Sequence, residues 1–162
     1  MRHPEVISFL AEVYKPKTYL ELGLYKGETF NIMQGRCSRT VGVDINPTPL
    51  GGEIYMMTTD KFFEAFTDPV DMVFIDADHS YESVKKDFEN SLNLLNDGGV
   101  IVLHDTDPEQ DFLFHSGYCG DCYKIVQDIE AREDVNVVTL PVHAEGLCII
   151  TKKDDTRVLR RK

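Results

Sequence analysis

The residues best suited to chemistry crowd into two short stretches. Asp76, Asp78 and His79 lie in VFIDADHSYESV (residues 73–84), and His104 with Asp105 follow GVIVL (residues 99–103). In each case the ionisable groups appear where a run of apolar residues stops. If the two runs are adjacent parallel strands, Asp76 and Asp105 come together at neighbouring strand ends. Two carboxylates in that position repel unless they share a proton or a cation, and a divalent metal is the economical solution. The same residues admit plainer roles. Asp76 and Asp78 can cap a helix that begins near Ser80, His79 can be a surface turn residue, and His104–Asp105 can be a turn. Asp78 is read as structural.

A second set of residues suits a nucleotide-type ligand. In ELGLYKGETF (residues 21–30), Gly23 and Gly27 let the backbone turn sharply and approach a ligand closely, ahead of a helix N-terminus. The next apolar run, TVGVDI (residues 40–45), ends in Asp44, whose carboxylate can accept both hydroxyls of a ribose, and in Ile45, which can pack on an adenine face. The plainer alternative is a glycine turn capped by Asp44.

Positioning both sets requires alternating strands and helices. Strands are expected at 18–24, 40–45, 54–59, 71–77, 99–105, 135–142 and 146–152, and those in the 40s, 70s and 100s read as buried on both faces. Helical periodicity covers 4–14 (with Val6, Phe9, Leu10 and Val13 on one face), 81–96 and 122–132, and shorter helices are expected at 28–36 and 61–66. Pro4 suits a first turn, Ser80 suits an N-cap, and Gly98-Gly99 closes the helix begun at Ser80. The alternation implies right-handed βαβ units and a mostly parallel sheet. Only three residues, HAE, separate the last two strands, which is too few for a crossover and implies an antiparallel hairpin. The expectation is an α/β, Rossmann-like doubly wound sheet of seven strands ending in that hairpin, formed by residues 1–152 as one domain. A charged tail at 153–162 is expected to fray.

The E-x-G-x-x-x-G spacing, Asp44 and the terminal hairpin resemble the class I S-adenosylmethionine-dependent methyltransferases, and the similarity runs from about residue 17 to 152. The resemblance implies S-adenosylmethionine as cofactor, with Glu21 and Gly23 near its methionine portion, Asp44 on the ribose, and Asp60 in TTDKFF on the adenine. The segment from FIDADHS to LHDT is similar to the metal-dependent O-methyltransferases. Catechol-type members carry F-I-D-A-D-K and a later D-N, whereas this chain has His79 at the lysine position and Thr106 at the asparagine position. The macrolide-sugar O-methyltransferases and cephalosporin-hydroxylase-like proteins, with D-x-x-H followed by E-D, are nearer. That branch implies metal ligands at Asp76, His104 (replacing Glu) and Asp105, with His79 as the base and Mg²⁺ or Mn²⁺ as the ion. A histidine ligand tilts the preference from Mg²⁺ toward Mn²⁺, Fe²⁺ or Zn²⁺. The implied reaction is methyl transfer to a hydroxyl of a small molecule or sugar. A hydroxylase-like metal enzyme and a non-catalytic binding module on the same fold remain open alternatives.

Bulk properties narrow the field. The formal charge of −11 includes four basic groups in the final RVLRRK, so the rest of the chain sets 13 basic groups against 28 acidic ones, a balance of −15. Such a body is unsuited to a nucleic-acid backbone and favours a neutral or cationic acceptor. No apolar run approaches a membrane span and no signal-peptide pattern opens the sequence, so a cytoplasmic protein with reduced cysteines is expected. Cys119 and Cys122 form a C-x-x-C pair with no second pair to complete a zinc site; a loop and a redox pair are both compatible with it. The resemblance lays this loop over the substrate, with Phe112, Phe114, His115 and Tyr118 near the acceptor. The fold leaves little chain for a lid, which points to a large acceptor or to closure by a second subunit in a homodimer.

Overall fold

The structure, a computed structural model, describes residues 2–48 and 50–153. Most of the charged tail therefore lies outside the described residues. Helix α1 (His3–Tyr14) precedes strand β1 (Thr18–Leu22), and α2 (Glu28–Gln34) leads to β2 (Arg39–Asp44) and β3 (Glu53–Met56). Helix α3 (Thr59–Ala65), β4 (Val70–Ile75), α4 (Tyr81–Leu94) and β5 (Leu95–His104) continue the alternation. A loop with short 3₁₀ turns at Asp111–Phe114 and Cys122–Lys124 then enters α5 (Ile125–Glu130), followed by β6 (Val135–Leu140) and β7 (Leu147–Lys152).

The seven strands form one sheet in the order β3-β2-β1-β4-β5-β7-β6. The pairs from β3 to β5 are all parallel, and β7 runs antiparallel to both β5 and β6. The doubly wound sheet and terminal hairpin expected from the alternation are both present. The continuous apolar runs follow from period-2 alternation in strands covered on both sides. In β4, Val73 and Ile75 face a cluster with Phe62, Phe66, Val84, Phe88, Leu92, Ile125 and Ile129 from α3, α4 and α5. Met72 and Phe74 face the opposite layer, with Val6, Ile7, Leu10, Phe30 and Met33 from α1 and α2. Each such side chain contributes about 1.5–3 kcal/mol on burial.

Several boundaries differ from expectation. The face of α1 is rotated: Val6, Ile7, Leu10 and Ala11 are buried, while Phe9 and Val13 are exposed. A stripe at i, i+1, i+4, i+5 fits the 3.6-residue period as well as the one inferred, and packing against the sheet selects it. The third strand stops at Met56 because Thr58 already caps α3, accepting from the Lys61 amide. Helix α4 ends at Leu94 and passes directly into strand. The β4–β5 pairing jumps from Val70↔Leu95 to Met72↔Val100, so the regular ladder starts just after Gly98-Gly99. Among the described residues no helix is long and apolar enough to cross a membrane.

Candidate active site

Open α/β sheets bind ligands beyond the carboxyl ends of their strands, where the strand order reverses. Here β1 sits between β2 and β4, and the three strand ends deliver Gly23, Asp44 and Asp76 to one edge. Gly23 adopts φ +86°, and a Cβ there would lie 2.0 Å from the Asp76 carbonyl oxygen. Only glycine permits the β1 and β4 ends to approach so closely. Gly27 also needs its positive φ, but the space around it is filled by Leu50 rather than left open to a ligand.

A cavity of about 600 Å³ opens over this edge, lined by Gly23, Asp44, Ile45, Asp60, His79 and Ser83 among others. Asp44 is held rigidly. Its Oδ2 accepts from the amides of Leu24 (2.8 Å) and Tyr25 (3.1 Å), and its Oδ1 from Asn46 (2.7 Å). Ile45 presents an exposed apolar side chain to the cavity, and Asp60 stands on the first turn of α3 beside Thr58 and Thr59.

Two residues expected near the cofactor do not line this cavity. Gly27 turns the chain into α2, as described. Glu21 is 2% exposed and points to the opposite face of the sheet, where the Tyr19 hydroxyl donates to its Oε2 at 2.5 Å. Strand alternation places Glu21 with Tyr19, away from Leu20 and Leu22. Burial, with a contribution from the Asp76 charge, pushes the Glu21 carboxyl up to about 8 despite the hydrogen bond from Tyr19.

Beside the cavity, β4 and β5 bring Asp76, His104 and Asp105 together, with one ligand atom of each within 4.8 Å of the others. His104 Nδ1 lies 3.0 Å from Asp105 Oδ1 and 3.2 Å from Asp76 Oδ1, yet it is buried and angled so that it makes a well-formed hydrogen bond to neither. Burial alone would depress the His104 pKa; the Asp76 charge and the contacts with Asp105, Asp76 and Glu145 outweigh it and raise it well above the usual imidazole range. The site thus concentrates negative charge around one point, and a cation placed there would take over the role of the imidazolium proton. Burial would raise the Asp105 carboxyl, but His104, His79 and the Cys119 thiol hold it below the usual range. His79 joins the two halves of the site. It lines the cavity, and its Nδ1 lies 3.1 Å from Asp105 Oδ2. Asp78, by contrast, accepts from Ser80 and Ser83 at the start of α4, the capping role expected of it.

The sequence reading missed Glu145 and His3. Glu145 Oε2 lies 3.4 Å from His104 Nε2, and the His3 ring packs edge-on against His104 with centroids 4.5 Å apart. Glu145 occupies the HAE turn, and because His104 pairs with Leu147 across an antiparallel ladder, that turn must fall beside the end of β5. The hairpin was the signal available for it. Nothing local marked His3. In the loop after β5, Phe112, Phe114, His115 and Tyr118 are exposed, and Ser116 and Gly117 between them line the cavity.

A sequence profile of the methyltransferase domain matches residues 20–106. An uncharacterized protein of Acanthamoeba polyphaga mimivirus is 26% identical, with 80% of this chain and 69% of that protein covered. Among solved structures, an O-methyltransferase from Bacillus cereus in complex with S-adenosylhomocysteine superposes with a TM-score of 0.73 at 18% identity, covering 93% of this chain and 80% of that one. A Podospora anserina methyltransferase bound to the same molecule gives a TM-score of 0.74 at 19% identity, covering 93% and 78%.

Proposed function

Because the chain belongs to the methyltransferase-domain family, we propose that it is an S-adenosylmethionine-dependent O-methyltransferase acting on a hydroxyl of a small molecule or sugar. In this reading a divalent metal is held by Asp76, His104 and Asp105. The observation that carries it is the position of His79, in the wall of the 600 Å³ cavity and 3.1 Å from a carboxylate of the acidic cluster. A cofactor in the cavity and an acceptor at the cluster would meet at this imidazole.

The donor set suits a cation: two carboxylate oxygens and a buried imidazole nitrogen that lacks a well-formed hydrogen bond. When bound, the cation would lower the pKa of an acceptor hydroxyl, and S-adenosylmethionine would supply a methyl already activated as a sulfonium. The chain supplies the rest. Asp44 and Ile45 bind the ribose and adenine, and Asp60 reaches the adenine edge. Gly23 keeps the floor of the cavity free of side chain. His79 places Nδ1 3.1 Å from Asp105 Oδ2 without a well-formed hydrogen bond and Nε2 3.9 Å from Asp76 Oδ1, so that Nε2 would take the hydroxyl proton of an acceptor held at the cluster. Holding oxygen, methyl carbon and sulfur in line is then a matter of placement. The histidine among the ligands favours Mn²⁺ or Fe²⁺ over Mg²⁺.

Isothermal calorimetry with S-adenosylhomocysteine, run with and without Mn²⁺, tests the reading. Micromolar binding is the expected result, and absence of binding in both conditions would remove the cofactor and leave Gly23 and Asp44 as scaffold. A chelator that leaves methyl transfer intact would remove the metal alone.

A further inference from the structure

The C-x-x-C pair has no part in the chemistry above, yet it closes around the site. Cys119 and Cys122 are 1% and 2% exposed. The Cys119 thiol donates to Asp105 Oδ1 at 3.3 Å, and the Cys122 thiol to the Asp105 main-chain oxygen at 3.3 Å and to the Cys119 carbonyl at 3.1 Å. The same turn grips His79 through its backbone. The amides of Asp121 and Cys122 donate to the His79 carbonyl at 3.1 and 3.2 Å. Gly120 lies so close that a Cβ there would sit 2.2 Å from that oxygen. Asp121 Oδ1 also accepts from the Tyr81 amide at the start of α4, fixing the turn to the helix behind His79.

Asp105 needs such support. It is a non-glycine residue at φ +60°, a conformation that persists only where the surroundings over-determine it. The thiols are placed as donors: both are buried, and each lies 3.3 Å from an oxygen of Asp105.

We propose that the Cys119–Cys122 turn is the positioning element of the site, and that the Cys119 thiol orients the Asp105 carboxylate toward the metal while the turn's amides fix His79. The proposal rests on the reading of Asp105 as a metal ligand. Outer partners of this kind contribute roughly 10–100-fold to metal affinity.

The test is a Mn²⁺ titration of the purified protein, following free Mn²⁺ by electron paramagnetic resonance, on the unaltered chain, Cys119→Ala and Cys119→Ser. Cys119→Ala is expected to weaken Mn²⁺ roughly 10–100-fold, and Cys119→Ser, which keeps a donor, to recover most of that loss. Where Cys119→Ala fails to fold, Cys119→Val fills the volume without a donor and carries the same comparison. Equal affinity in the unaltered and donorless proteins would overturn the proposal while leaving the metal site standing, as would a serine variant no better than alanine. No Mn²⁺ binding by the unaltered protein would overturn the metal reading and this proposal with it.

Discussion

Replacing Glu21 by Gln should make the protein more resistant to unfolding, by an amount set by pH. The Glu21 carboxyl has a pKa of about 8 in the folded chain, against an ordinary value of 4.5. Between those limits the folded state keeps a proton that the unfolded state has released, so stability falls as pH rises. The slope is about 1.4 kcal/mol per pH unit. The penalty is near zero at pH 4.5, reaches about 3 kcal/mol at pH 7 and is complete above pH 8. Glutamine cannot ionise, and its carbonyl still accepts from the Tyr19 hydroxyl. Urea unfolding of both proteins at pH 5, 6, 7 and 8, without metal or cofactor, measures the difference directly. Asp87, whose buried carboxyl is raised to about 7, adds a similar slope to both proteins and cancels. A gap between variant and parent that stays flat from pH 5 to 8 would refute the reasoning, because Glu21 would then be ionised in its buried position.

Gly23→Ala should lower stability by at least about 2 kcal/mol, from the positive φ and the 2.0 Å approach to the Asp76 carbonyl; thermal unfolding reads this without any ligand. Asp44→Ala releases three backbone amides and should weaken S-adenosylhomocysteine at least tenfold in calorimetry while leaving Mn²⁺ affinity unchanged. His79→Ala should slow methyl transfer roughly 10²–10⁴-fold with cofactor affinity altered only a few-fold. A similar loss of cofactor affinity and of rate would instead make His79 a wall of the cavity and nothing more.

Much of this architecture was legible because period and punctuation agree. The apolar runs in β2, β4 and β5, the cap at Ser80, the glycine turn at Gly27 and the short HAE connection each specify an element with little competition. They also bring Asp76, His104 and Asp105 to one edge through topology alone. What was not legible depends on which way a side chain faces or on contacts made late in the chain. Glu21 lies two residues before Gly23, but within β1 it shares the face of Tyr19, whereas Gly23 has left the strand and lines the cavity, a distinction that a motif does not encode. Phe9 and Val13 fit a helical stripe equally well until the sheet selects the neighbouring one. Cys119 and Cys122 form a C-x-x-C pair with no second pair beside it, and their hydrogen bonds to Asp105 are a use of thiols that carries no sequence signature.

The strand order β5-β7-β6 has a consequence for how the molecule is made. Among the described residues β7 is the last strand in sequence, yet it lies inside the sheet between β5 and β6 and is the one strand paired with β6. During synthesis from the N-terminus, β6 emerges before the strand it pairs with, and its native ladder can form only once residues 147–152 have left the ribosome. The same pairing brings the Glu145 turn beside His104, so the environment of the cluster is completed in that final step. Nascent chains halted before residue 147 would hold β1 to β5 with an open edge on β5, a surface prone to pairing with other chains.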